Sequence, residues 1–149
     1  MRHAGLAVAL ILCGFARPLA AATSGEIALT VTLKQAVSSA VGVKVTAPAD
    51  QHGNPGQTLT YHFTVQNTGT APDSFRLATD SSKRFHAALP DGNRIGPLAP
   101  GASATVIVKL TISHRAHVGL HGRLTLTATS RTDRRVSDHA SVTTRVVRR

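Results

Sequence analysis

Asn54 to Gly69 reads NPGQTLTYHFTVQNTG, and this stretch decides the fold. A Pro-Gly turn opens it, an alternating run follows, and Asn67-Thr68-Gly69 closes it. Leu59, Tyr61, Phe63 and Val65 are apolar, while Thr58, Thr60, His62, Thr64 and Gln66 around them are polar. Successive side chains of a strand point to opposite faces, so this spacing places one face on a core and the other in water; a helix cannot use it. Tyr61, Phe63 and Phe75 fall on this strand or the next, which makes it the expected centre of the core.

The same pattern continues in both directions. Upstream, Val41, Val43, Val45 and Ala47 alternate with Gly42, Lys44 and Thr46 as far as Pro48, which cannot donate to a ladder and so closes the strand or marks an edge. Asp50 to Gly56, rich in Gly, Pro and Asn, is expected to be a loop. Further upstream, Ile27, Leu29, Val31 and Leu33 form one face of a strand over Glu26 to Leu33. Downstream, Asp73, Phe75 and Leu77 share an inward face. Phe85, Ala87 and Leu89 mark a short strand, with Phe85 as the aromatic expected nearest the surface. Pro90-Asp91-Gly92-Asn93 and Pro97 to Gly101 are turns. Ala104, Val106, Val108, Leu110 and Ile112 define the longest regular strand, Leu124, Leu126 and Ala128 another, and Val136, Ala140, Val142 and Val146 the inward set of a last one over Val136 to Val147.

Seven to eight short strands punctuated by turn residues predict an all-β fold, an immunoglobulin-like antiparallel β-sandwich, with a small barrel as the alternative. Residues 41–149 are expected to form it, and residues 23–40 an N-terminal strand or extension.

Met1 to Ala22 has the layout of a signal peptide: Arg2 in a basic n-region, an apolar stretch from Ala4 to Phe15, and small residues at Ala20, Ala21 and Ala22. The apolar run is shorter than the roughly 20 residues of a membrane helix, so the expectation is cleavage near Ala22, export to the periplasm or the cell exterior, and no transmembrane segment afterwards. Cys13, the one cysteine, lies inside the apolar stretch. A lipoprotein signal would want a small residue just before it, where Leu12 stands, so lipidation is not expected. Beyond it there is no thiol, and the fold must hold by packing without disulfides. Leaving out Arg2 and Arg17 from the 17 Lys and Arg leaves 15 against 7 Asp and Glu, a net charge of about +8. Such a balance favours encounter with anionic surfaces as a field effect.

The runs PGQTLTYHFTVQNTGTAPDSF, GPLAPGASATVIVKLTI and LTLTATSRTDRRVSDHASVTTRV resemble the immunoglobulin-like modules of exported bacterial proteins, such as the alpha-galactosidase-associated and cell-adhesion-related (CARDB-like) families. The matching pieces are Pro55-Gly56, Val65-x-Asn67-x-Gly69, Asp73 with Phe75, Leu98-x-Pro100-Gly101 and Ser130 to Asp133, and the likeness covers about Val41 to Val147. It implies a sandwich that serves as a spacer or binding part. Each piece also has a local role: Gly56 and Gly69 permit the positive φ of tight turns, and Asn67 and Asp73 can bond the backbone of the loop between their strands.

Candidate chemistry is sparse. His114, His117 and His121 are spaced as HRAHVGLH, and imidazole is a common metal ligand. Between two long strands they are read first as a solvated loop, and no Cys, Met or carboxylate stands beside them to complete a zinc or copper set. The acidic residues Glu26, Asp50, Asp73, Asp80, Asp91, Asp133 and Asp138 are scattered singly, without the spacing of a calcium loop. No nucleophile elbow, phosphate loop or zinc-protease motif occurs, so neither catalytic residues nor a cofactor is assigned. The absence of Trp and the inward parity of Tyr61, Phe63 and Phe75 argue against stacking on sugars or nucleobases, and nucleic acid is not an expected partner. Arg131, Arg134 and Arg135 precede the last strand and Arg145, Arg148 and Arg149 follow it, roughly 30 Å away, so they do not make one patch.

The reading is an exported non-catalytic module acting in protein interaction or envelope structure. Its partner is another exported or envelope protein, docked along an edge strand near Val41 to Ala47 or Val136 to Val147. Its alternatives are a small metal-binding protein using the His-rich loop and a cationic binder of anionic envelope lipid or polysaccharide.

Overall fold

The computed structural model describes residues 39–148, and the apolar leader, Cys13 and the strand expected over Glu26 to Leu33 lie outside them. Nine strands are present among the described residues: β1 (Val43–Thr46), β2 (Gln51–Gly53), β3 (Thr58–Asn67), β4 (Asp73–Ser81), β5 (Phe85–Ala88), β6 (Arg94–Leu98), β7 (Ser103–Ile112), β8 (His121–Ser130) and β9 (Ser137–Val146). They form a four-stranded sheet of order β1-β3-β7-β5 and a five-stranded sheet of order β2-β9-β8-β4-β6. Every ladder is antiparallel except β2 with β9. This is an immunoglobulin-like β-sandwich, with nine strands in place of the seven to eight expected. The additions are β2, inside the expected loop, and β6, which runs into an expected turn. A three-residue strand is too short to show alternation, and β6 contains Gly96 and Pro97, residues depleted in strands.

The alternating face of β3 lies at the centre: Tyr61, Phe63 and Val65 are fully buried, and His62 and Thr64 between them are exposed. Val108 and Leu110 on β7 stand in its sheet, and Phe75 on β4, Leu124 and Leu126 on β8 and Val146 on β9 complete the core from the other sheet. Phe85 does not sit near the surface; it is buried, only 3 % exposed. Its ring fills the space above Gly122 of β8, where even a Cβ would collide with it. The tyrosine hydroxyl is satisfied by Thr144 Oγ1 at 2.7 Å. Burial pushes the Tyr61 phenol above its ordinary pKa, with a smaller contribution from the Asp50 charge and a partial offset from the Thr144 bond.

The sheet edges expected to dock a partner are short and partly closed. β1 is an edge, as its Pro-terminated pattern predicts, but its Val45 N–H donates to Asp138 Oδ2 of β9 at 2.7 Å. In return, the Thr143 N–H of β9 donates to Asp50 Oδ1 at 2.7 Å. The last strand is covered by β2 only at Thr144 to Val146, and Asp50 takes up the Thr143 amide just before that stretch. An added strand would have to displace these carboxylates, which is how natural sandwiches blunt their edges.

Candidate arginine-lined site

The end of the sandwich that holds Asn67, Asp73 and Ser130 carries three of the four buried polar residues among the described ones, Thr144 being the fourth. Asn67 is fully buried. Its Nδ2 donates to Ala71 O at 2.9 Å and Leu98 O at 2.8 Å, and its Oδ1 accepts the Gly69 N–H at 2.9 Å, which ties the β3–β4 turn to β6. Gly69 does not adopt the positive φ expected of it. Its place is set by close approach, because a Cβ there would lie 2.6 Å from Ala40 O. Gly56 does have a positive φ, of 84°.

Asp73 reaches further than the local turn it is expected to hold. Its carboxylate accepts the Ser130 hydroxyl, the Thr132 hydroxyl at 2.8 Å and the Ser74 N–H at 2.7 Å. Burial alone would push this carboxyl up, but these hydrogen bonds outweigh it and hold Asp73 below the ordinary carboxylate pKa. Ser130 Oγ in turn accepts the N–H groups of Thr132 and Asp133, Asp133 Oδ1 accepts the Arg135 N–H at 2.9 Å, and the Arg131 N–H donates to Ser74 O at 2.9 Å. The β8–β9 turn is thus fastened to β4 by one buried carboxylate and a closed set of bonds.

That fastening brings distant arginines together. Arg76 lies outward on β4, between buried Phe75 and Leu77, directly opposite Arg94 of β6 on one side and Thr129 of β8 on the other. Cross-strand Cα atoms stand about 5 Å apart, so Arg76 and Arg94 are neighbours on one face. Arg131 and Arg134 come down from the turn, and the four arginines, with Ala78, Thr129 and Ser130, line a groove of about 470 Å³. No carboxylate lines it. Register beside it is set by a bulge between Asp73 and Phe75, where Gly96, at a φ of 104°, approaches so closely that a Cβ would lie 2.9 Å from Asp73 O.

The expected His candidates do not assemble. His114 packs its ring against Gly56, His117 Nδ1 lies 3.3 Å from Val118 O, and His121 opens β8 opposite Arg145. Among the described residues no group of three His, Cys, Asp or Glu side chains is placed to hold a metal ion. The sequence separates Arg131, Arg134 and Arg135 from Arg145, Arg148 and Arg149, and the structure keeps the first three and Arg145 and Arg148 at opposite ends of β9. The partners that sequence reasoning missed are Arg76 and Arg94. The parity of Arg76 marks it as outward-facing, but nothing local announces β6 or its register.

No protein-family model matches the chain, and no curated protein matches it in sequence. Among solved structures it is similar to a family 123 glycoside hydrolase from Clostridium perfringens, with a TM-score of 0.52 and 8% identity over 72% of this chain and 27% of that one. It is also similar to Escherichia coli alpha-2-macroglobulin from domain MG7 to the C-terminus, with a TM-score of 0.51 and 15% identity over 73% of this chain and 17% of that one. A third likeness is to the ASH/PapD-like domain 7 of human CEP192, with a TM-score of 0.50 and 11% identity over 83% of this chain and 99% of that domain. The chain spans less than a third of the first two structures. At such identities the likeness is one of fold, and it places the chain among immunoglobulin-like β-sandwich domains.

Proposed function

We propose that this chain is an exported, non-catalytic immunoglobulin-like module that acts by binding another exported or envelope component with the outer face of its five-stranded sheet. Export rests on the leader-like layout of Met1 to Ala22. The observation that carries the binding reading is the gathering of Arg76, Arg94, Arg131 and Arg134 on one face without a lining carboxylate. Opposed like charges destabilise a sheet, so such an arrangement is relieved by an acidic partner. A non-catalytic role is supported by the use the fold makes of Tyr61 and Asp73. Among the described residues these are the groups with displaced pKa values, and both are committed to hydrogen bonds inside the frame. The partly closed β1 and β9 edges favour contact through side chains over strand addition.

The test is cross-linking and capture from an envelope extract with the full chain, at about 0.01 M and about 1 M salt, where the Debye length falls from about 30 Å to 3 Å. A partner held at low salt, released at high salt and lost on combining Arg76→Glu with Arg94→Glu is the expected result. Capture that survives both high salt and the double substitution, yet disappears with Val43→Pro, would return the contact to the β1 edge.

A further inference from the structure

We propose that the arginine-lined groove is a site for a phosphate-bearing anion with two or more negative charges, a phosphate monoester or a diphosphate. This rests on the preceding reading only in using the same face.

Four observations point to that ligand. First, charge is concentrated: four arginines border one volume of about 470 Å³, within the size range of small-ligand pockets. One carboxylate or sulfate ester brings a single charge to such a place. A phosphate monoester brings about 1.5 to 2 charges and three strong acceptors on one atom centre, and guanidinium matches it with paired donors.

Second, the backbone that carries the arginines is held in place. Arg76 and Arg94 stand in direct register on adjacent strands, and the backbone carrying Arg131 is bonded to Ser74. The Asp73, Ser130 and Thr132 hydrogen bonds hold the turn that carries Arg134. A site built on ordered backbone loses less freedom on binding than one built on loose chain. Asp133, the nearest carboxylate in sequence to Arg134, is turned into its own loop to accept the Arg135 N–H at 2.9 Å.

Third, the side chains between the arginines are small. Ala78 follows Arg76 on the same outward face of β4, and its methyl group leaves the groove open where a longer side chain would fill it. No aromatic ring lines the groove, so a ligand is recognised there by its charge and not by stacking of a sugar or base.

Fourth, the surroundings do not suit a bilayer. Among the described residues the exposed large hydrophobic is Val118, and it lies in the loop before β8, whereas Arg131 follows β8. The ten residues of β8 put about 33 Å between them, so among the described residues no exposed large apolar side chain flanks the groove to enter lipid. The ligand is therefore a soluble or polymer-borne phosphate, and a membrane surface becomes an outcome of the test.

The experiment is calorimetric and NMR titration of the full chain with inorganic pyrophosphate, inorganic phosphate, sulfate and glutarate at matched ionic strength, alongside phosphatidylglycerol vesicles. Pyrophosphate should bind at least about tenfold more tightly than sulfate or glutarate, as expected where charged hydrogen bonds are added. Arg76→Gln with Arg94→Gln should weaken it about tenfold or more, as should Arg131→Gln with Arg134→Gln on the turn. Arg145→Gln, the loss of one charge at the far end of β9, should leave the affinity unchanged. Equal affinity for glutarate, or an equal loss from Arg145→Gln, would show a diffuse basic field and overturn the site. Vesicle binding that exceeds pyrophosphate binding and ignores Arg76 and Arg94 would overturn it in favour of a lipid surface. Envelope capture that persists while pyrophosphate fails would sink the phosphate assignment and leave the interaction reading standing.

Discussion

Asp73 occupies a core-facing position on β4 and still remains a carboxylate. Three donors outweigh its burial and hold its pKa below the ordinary carboxylate value. A group whose pKa is depressed on folding stabilises the fold above its unfolded value of about 3.9, and that contribution disappears as pH falls through the folded value. Asp73→Asn keeps the shape but turns a charged acceptor of three bonds into a neutral amide with its own N–H groups. Near neutral pH it should lower stability by about 1.5–3 kcal/mol, the range for hydrogen bonds to charged groups. Denaturant unfolding at pH 7 and again near pH 3 checks the sign: the gap between the two proteins must narrow in acid. Residue by residue, the inward positions of β3 and β4 were legible because alternation is local. Phe85 was not, because its burial depends on a glycine 37 positions later on another strand.

At the scale of the element, Gly122 shows what a strand gives up for a neighbour. It is buried within β8, and Phe85 of β5 occupies the space its missing side chain leaves. Gly122→Ala should force the Phe85 ring out of place and cost about 1–3 kcal/mol by overpacking, although alanine suits a strand no worse than glycine. Phe85→Leu in the same background should recover part of that loss in thermal unfolding, and no recovery would mean that the two residues are not coupled. The long strands β3, β7, β8 and β9 could be read directly, since ten residues offer enough repeats to separate a period of two from chance. β2 and β6 could not be read, because three and five residues, one set holding Gly96 and Pro97, carry their strand identity only in their pairing. The candidate site shared that fate: Arg131 and Arg134 were visible as a basic turn, while Arg94 became their neighbour only through β6.

For the molecule as a whole, the two sheets meet on one side through a reciprocal exchange: Asp138 of β9 accepts from β1, and Asp50, which follows β1, accepts from β9. The consequence concerns behaviour in a crowd. A sandwich keeps its copies apart only while its border offers no free ladder, and here two side chains and the three-residue β2 close that border. Combining Asp50→Ala with Asp138→Ala removes two of the seven acidic residues and raises the net positive charge by two, which by repulsion alone should disperse the protein. The opposite is expected: the bared Val45 and Thr143 amides should invite a second copy to pair, so that light scattering rises with protein concentration and thioflavin-type dyes report growing β-stacks. A doubly substituted protein that stays monodisperse at high concentration would show that shortness of the strands alone protects the border. If association is seen, the two aspartates are what keep a cationic sandwich from becoming the seed of its own fibre.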